Sequence, residues 1–328
     1  MNLKLADANS KFFHRRINDR RRKNHIQRLK KGQGWAFEHK DKEKVIRDHF
    51  AAVMGRPIER TLDLNWDNLD QPALNLHSLD DPFSEDEIKT AIFQMPADKA
   101  LGPDGYTGAF FRACWDVIKG DFMEAVIAFH NLRISSLPLL NSANIVLIPM
   151  KEGIDYVTDH RQSISLIHSF AKIIAKALAL RLAPYMKTIV PPTQSAFTKK
   201  RSIHDNFMAV RNTARSFHRN NIPALFIKLD ITKAFDSVRW DYLRTLLQRL
   251  GFPRRWQDWI ASLLATSTSR VLLNEVPSTP LKHGRGLRQG DPLSPLLFVI
   301  TIDLLRRLLD LAIERAILSK LRGTHAQH

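Results

Sequence analysis

Cysteine is almost missing: Cys114 is the only one in 328 residues, which excludes an internal disulfide and any cysteine-based zinc site. Its neighbours Phe110, Phe111 and Trp115 mark it as a core residue rather than a redox centre. Long apolar runs are missing as well. No uncharged stretch approaches the ~20 residues that span a bilayer, and the opening MNLKLADANSKFF holds no apolar segment flanked by a cleavage site. A soluble, non-secreted protein with no membrane partner is the expectation. Acidic residues are in deficit: 33 Asp and Glu stand against 50 Lys and Arg, a formal charge of +17. That imbalance points to a polyanion, nucleic acid ahead of an anionic membrane surface. Internal repeats and low-complexity tracts are absent.

What is present is a globular composition, 44% hydrophobic and 25% charged, with length for one large or two ordinary domains. Residues 5–31 are dominated by Lys11, Arg15, Arg16, Arg20, Arg21, Arg22, Lys23, Arg28, Lys30 and Lys31. Phe13, Ile17 and Leu29 give the run helical spacing up to Gly32 and Gly34. It reads as a basic helix that tracks phosphates, or as a solvated charge run or nuclear-import signal. A second helix is expected over residues 35–54, and the proline- and aspartate-rich residues 56–82 read as a connector. Ser84 and Glu87 form a capping box for a helix carrying Ile88, Ala91 and Ile92.

Further along, SANIVLIP (142–149) reads as a buried strand, and helices are expected over residues 110–130, 169–186, 202–219, 240–250 and 256–266. Lys199, Lys200 and Arg201 form a basic loop suited to a nucleic-acid backbone, or merely exposed. The stretch ALFIKLDITKAFDSVR (224–239) reads as a β-prone run that delivers Asp230 to a strand end. A carboxylate there needs a cation or donors, and a divalent metal would serve; a lone aspartate also caps turns. Residues 284–290 form a Gly-rich basic loop, followed by Asp291 as a helix N-cap and Pro295 in the first turn.

Four motifs in order, KALGPDG, SANIVLIP, IKLDITKAFDSVRW and GLRQGDPLSPLLF, resemble the reverse transcriptase of non-LTR retrotransposons, nearest to the long interspersed elements of plants. The N-terminal ANSKFFHRRINDRRRKNHIQRL resembles the basic segment between endonuclease and polymerase in those proteins. The resemblance implies an α+β fold, with right-hand polymerase fingers and a partial palm, helix-rich, preceded by a basic helical segment. Its expected divisions are a basic helical linker (1–55), a connector (56–82) and fingers with partial palm (83–328). It implies a nuclear RNA-directed DNA polymerase working with Mg2+ on an RNA template, a DNA primer and deoxynucleoside triphosphates.

By position in the motifs, Asp230 is implied as the catalytic metal ligand, with the carbonyl of Ile231 facing the metal. Phe235 matches the bulky side chain under the incoming sugar, and Gln289 and Gly290 the pair lining the nascent base-pair pocket. Asp236 is implied only as a supporting residue. Arg161 is the implied triphosphate clamp if one extra residue precedes Ile164; aligned backwards from Ile164 and Ser165, Gln162 stands there instead. Lys151 is the substitute for a lysine where Met150 stands. The family's aromatic-Ala-Asp-Asp hairpin has no counterpart up to His328, and the tail after Leu318 has no Asp or Glu.

Little or no polymerase activity is therefore expected of this polypeptide alone, together with an uncovered apolar face on Leu296, Phe298 and Ile300 and poor solubility. The alternative is a nucleic-acid-binding remnant without chemistry. A Mg2+-dependent phosphohydrolase using Asp230 and Asp236 lacks further acidic ligands nearby.

Overall fold

The computed structural model describes residues 11–57, 59, 63–69, 74–97, 101–133, 135–149, 156–157, 160–198 and 201–319. The chain opens with helix α1 (Lys11–Asn24), whose last turn gathers Arg21, Arg22 and Lys23 at the negative end of the helix dipole. The expected helix does not continue to Lys31. A hairpin follows instead, β1 (Leu29–Lys31) against β2 (Gly34–Ala36), because Gly32 takes a φ of +58° and reverses the chain. Helix α2 (His39–Met54) turns Ile46, Phe50 and Met54 inward, and its buried Lys42 donates to the carbonyls of Ile26 and Gln27, both at 3.1 Å.

Half of the expected capping box forms: the Ser84 hydroxyl accepts from the Glu87 amide at the start of α3 (Glu85–Phe93), while the Glu87 carboxylate turns to Arg181 instead. Helices α4 (Gly108–Ala113) and α5 (Trp115–His130) replace the single helix expected there. Strand β3 (Ser142–Pro149) occupies the SANIVLIP stretch and pairs antiparallel with β4 (His160–Ile167). The GPDG turn has a structural task. Asp104 Oδ2 accepts from the Ser169 amide at 3.0 Å and so caps α6 (Ser169–Leu182) from 65 residues away. His168 Nδ1 accepts from the Phe170 amide at the same helix start.

Helix α7 (Ile203–Arg219) buries no residue, and Ile203, Phe207 and Val210 stand exposed at i, i+4, i+7 spacing. The strand expected around Asp230 does not form. Residues 222–231 run without regular secondary structure, and Leu225, Phe226, Ile227 and Leu229 are all exposed. β-propensity cannot hold a strand whose backbone groups find no neighbouring strand to bond.

Helices α8 (Trp240–Arg249) and α9 (Arg254–Ala265) lead to β5 (Thr268–Leu273), β6 (Val276–Pro277) and β7 (Leu281–Lys282), and α10 (Ser294–Glu314) closes the fold. The sheet order is β4-β3-β5-β6, with β7 also on β5; β3 and β5 are parallel and the other pairs antiparallel. Burial alternates along the strands, Ala143, Ile145 and Leu147 on β3 and Ser269, Val271 and Leu273 on β5. Ile145, Leu147, Val271 and Leu273 share a core with Ile26, Leu29, Ile46 and Phe50, so the basic N-terminal unit is packed onto the sheet.

The larger core joins α3, α5, α6, α8, α9 and α10 around Trp115, Trp256 and Trp259. Leu296 and Ile300 lie inside it and Phe298 packs against it, so the apolar face expected to be bare is covered. Phe298 stacks on Phe235 there, and Leu296 and Ile300 join the cluster of the surrounding helices.

Arg181 ties three segments together. Its guanidinium holds Glu87 through two bonds of 2.5 and 2.7 Å, donates to the carbonyls of Leu79, Asp81 and Pro82, and lies over the Phe83 ring. Arg181→Met is expected to destabilise the protein by ~3 kcal/mol in urea unfolding, because the half-enclosed Glu87 loses its partner. Arg254→Met, which removes an exposed helix pair with Asp258, should cost less than ~0.5 kcal/mol.

Candidate active site

Two loops and a strand edge meet at one place. Residues 232–237 form a turn with Lys233 at φ +53°, and the Ser237 amide closes it on the Lys233 carbonyl. The Gly-rich loop lies against that turn: the Gly286 amide donates to Val238 at 2.7 Å and the Leu287 amide to Phe235 at 2.9 Å. The approach requires glycine, since a Cβ at Gly286 would sit 3.0 Å from the Asp236 backbone, and its φ is +84°. Trp240 Nε1 closes the contact on the Gly286 carbonyl.

Next in the loop, Arg288 is buried. It donates to the backbone carbonyl of Asn141 at 3.1 Å and to the Asn141 side-chain oxygen. Asn141 in turn donates to the Leu263 carbonyl and the Thr266 hydroxyl at the end of α9. Asp291 stands 3.9 Å from Arg288 and accepts from the amides of Leu293 and Ser294; the N-cap position itself falls on Leu293, so Asp291 serves the helix start from two residues before the place expected of it. Burial pushes its carboxyl up, against the pull of Arg288 and the two amides.

With Arg288 fixed, Gln289 and Gly290 reach the free edge of the sheet. The Ser165 amide of β4 donates to the Gln289 carbonyl at 3.2 Å, and a Cβ on Gly290 (φ +104°) would stand 3.0 Å from the Ser165 carbonyl. Both residues remain exposed. Phe235 is half-buried and stacks on Phe298 of α10, centroids 4.8 Å apart. Backbone bonds of one loop thus tie the Phe235 turn, through Leu287, and the β4 edge, through Gln289, across a long separation in sequence.

Arg161 lies on β4 upstream of Ser165. The register pairs Val146 with Ile164 but Ile148 with Arg161, so β4 carries one residue more than β3 between these pairs. The extra residue makes a β-bulge just before Ile164; the side chain of Arg161 lies outside the described residues.

Other expected residues lie apart. Asp230 and Ile231 are exposed on the irregular segment 222–231. Asp236 is half-buried; desolvation raises its pKa, against the pull of Lys233 and Arg285. Among the described residues no group of three or more His, Cys, Asp or Glu is placed to hold a metal ion. These carboxylates therefore do not fit a two-metal site by themselves.

On α1, Arg15, Arg16, Arg21, Arg22 and Lys23 are exposed, Arg21 bonding Glu275 at 2.9 Å; the side chains of Lys11 and Arg20 lie outside the described residues. So do Lys151, Lys199 and Lys200. Arg201 corrects the expectation of a solvent-facing cation: its guanidinium bonds the carbonyls of Val190, Pro191 and Gln194, which orders the turn before α7. The sequence reading missed Asn141 and Arg288. Only the arginine had a signal, a cation among glycines beside an apolar helix.

Comparison with known proteins decides what the assembled loops belong to. Residues 149–320 match the reverse transcriptase (RNA-dependent DNA polymerase) family. The chain belongs to that family. It is 32% identical over 73% of its length to the Transposon TX1 uncharacterized 149 kDa protein of Xenopus laevis, covering 18% of that protein. It is 31% identical over 69% of its length to the Retrovirus-related Pol polyprotein from type-1 retrotransposable element R2 of Nasonia vitripennis, covering 21%. The type-2 element R2DM polyprotein of Drosophila melanogaster is 27% identical over 71% of the chain, which covers 22% of it. This reverse transcriptase domain thus spans about a fifth of the length of these relatives. Reverse transcriptases work with a divalent cation, nucleotides and a nucleic-acid template; no helix among the described residues is long and apolar enough to cross a membrane.

Beneath the loop, His283 is buried and its Nε2 faces the Ser269 hydroxyl at 2.8 Å. Burial, aided by Arg288, lowers its pKa from 6.5 to about 4. Between those two values the unfolded chain binds the proton and the folded one does not. Stability is therefore complete above pH 6.5 and falls as the pH drops toward 4, by ~3 kcal/mol in all. His283→Gln should flatten urea-unfolding stability in that window, relative to the parent protein.

Proposed function

We propose that this domain serves RNA-directed DNA synthesis in a non-LTR retrotransposon protein, joining deoxynucleotides to a primer 3′-hydroxyl with release of pyrophosphate. The observation that carries the reading is the docking of Gln289 and Gly290 onto the β4 edge beside Phe235. In this reading the exposed pair lines the pocket for the incoming nucleotide, and the Phe235 ring excludes a 2′-hydroxyl by bulk. Arg161 grips the triphosphate with Lys151. Asp230 and the Ile231 carbonyl are the contribution of the described residues to the family's Mg2+ site. Residues 83–328 are the fingers and partial palm, residues 1–55 a basic segment, and residues 56–82 its connector.

The cations of α1 follow the template or primer backbone. Binding of an RNA–DNA hybrid is expected to weaken steeply with salt, and replacing Arg15, Arg16 and Arg22 with alanine should lower the log–log salt slope by about 2–3. An unchanged slope would remove α1 from the interface.

For the nucleotide pocket, amide hydrogen exchange at residues 286–290 should slow when a deoxynucleoside triphosphate is added to the hybrid-bound protein, and not with a ribonucleoside triphosphate. Equal response to both, or none, would refute the pocket. Primer extension by this polypeptide should stay below detection, since its described carboxylates do not converge. Extension abolished by Asp230→Ala would show otherwise.

A further inference from the structure

The outer face of the β1–β2 hairpin is built differently from α1. Leu29 pairs with Ala36 in the ladder, and both are buried, so this pair faces the core. The alternation then turns Lys30 and its partner Trp35 outward, with Phe37 two residues beyond Trp35 and about 7 Å along the chain. Trp35 is 38% exposed, Phe37 61% and the nearby Tyr156 45%. The Arg28 guanidinium lies 4.2 Å from the Trp35 ring centre, and the Lys30 ammonium 5.2 Å from that of Tyr156.

We propose that this face is a stacking platform for unpaired bases of a single-stranded nucleic acid. It rests on the polyanion reading of α1 and extends it from phosphates to bases.

Three observations select that occupant. The surrounding sequence is strongly cationic, with eleven Lys and Arg against two acids between residues 11 and 40, as a phosphate chain requires. The side chains turned outward on the ladder, Lys30 and Trp35, are cationic and aromatic, whereas its aliphatic ones, Leu29 and Ala36, are consumed inside; the face therefore offers positive charge and π surface together, the pairing by which single strands are held. Finally, the approach to the hairpin is anchored: Lys42 holds the Ile26 carbonyl, and Asn274 brackets Ile26 by accepting from its amide and donating to its carbonyl. Flat rings held on an anchored, basic scaffold bind any base, because every base offers a π face.

The test compares a short oligo(dT) with an abasic oligomer of equal length and charge, by fluorescence anisotropy on the full chain. The parent protein is expected to prefer oligo(dT) by about tenfold or more. Phe37→Ala and the double variant Trp35→Ala/Phe37→Ala should carry that ratio toward one without altering the salt slope, while Trp35→Phe keeps it. Should the double variant fail to fold, Phe37→Ala, at a largely exposed position, and Trp35→Phe decide the matter.

Equal binding of the two oligomers by the parent, with a steep salt slope, would overturn the platform and leave α1 as a phosphate contact. No binding of either at low salt would overturn both. An unchanged ratio in the variants, with loss only of binding to anionic phosphatidylserine vesicles, would assign the aromatic face to a membrane surface instead.

Discussion

A guanidinium taken out of water must find acceptors, and the position of the Gly-rich loop follows from where Arg288 finds them. Its two bonds to Asn141 anchor the loop at the start of β3, and Asn141 links that point to the end of α9. Removing either side would leave a buried polar group unpaired, which costs more than the bond itself contributes. Because the anchor lies one residue before Gln289, the next two residues have little freedom: they meet the β4 edge or they meet nothing. The arrangement of the proposed pocket is thus a consequence of charge burial at a residue beneath it.

Much of this was legible in the sequence where local chemistry decides structure. The Ser84 cap and the bonds of Asp291 to the amides of Leu293 and Ser294 each depend on neighbours within a few residues. The segment around Asp230 was not legible, because a strand is a relation between segments and its residues record only half of it. For the same reason Leu29–Lys31 reads as the tail of a helix until Gly34–Ala36 is seen pairing with it. The GPDG turn and Asn141 were silent because their partners, Ser169 and Arg288, lie 65 and 147 residues away. Family likeness supplied the association of Phe235 with Gln289 and Gly290; periodicity could not.

The excess of positive charge is spent in two ways. Arg181, Arg201, Arg285 and Arg288 satisfy backbone carbonyls inside the protein and hold loops that have no regular hydrogen bonding of their own. The cations of α1 and the hairpin instead remain at the surface, some against aromatic rings. Net charge alone would count both groups as available to a polyanion. Geometry separates them.

The core beneath the hairpin has a further consequence, for the order in which the chain can fold. Ile26, Leu29, Ile46 and Phe50 complete their packing only with Val271, Leu273 and Leu281. During synthesis at ~5–20 residues per second, the stretch from Met54 to Leu281 takes about 10–45 s to appear. For that interval the basic helix and hairpin have been made but lack the β5 and β7 share of their core. They are synthesised well before the packing that finishes them is available.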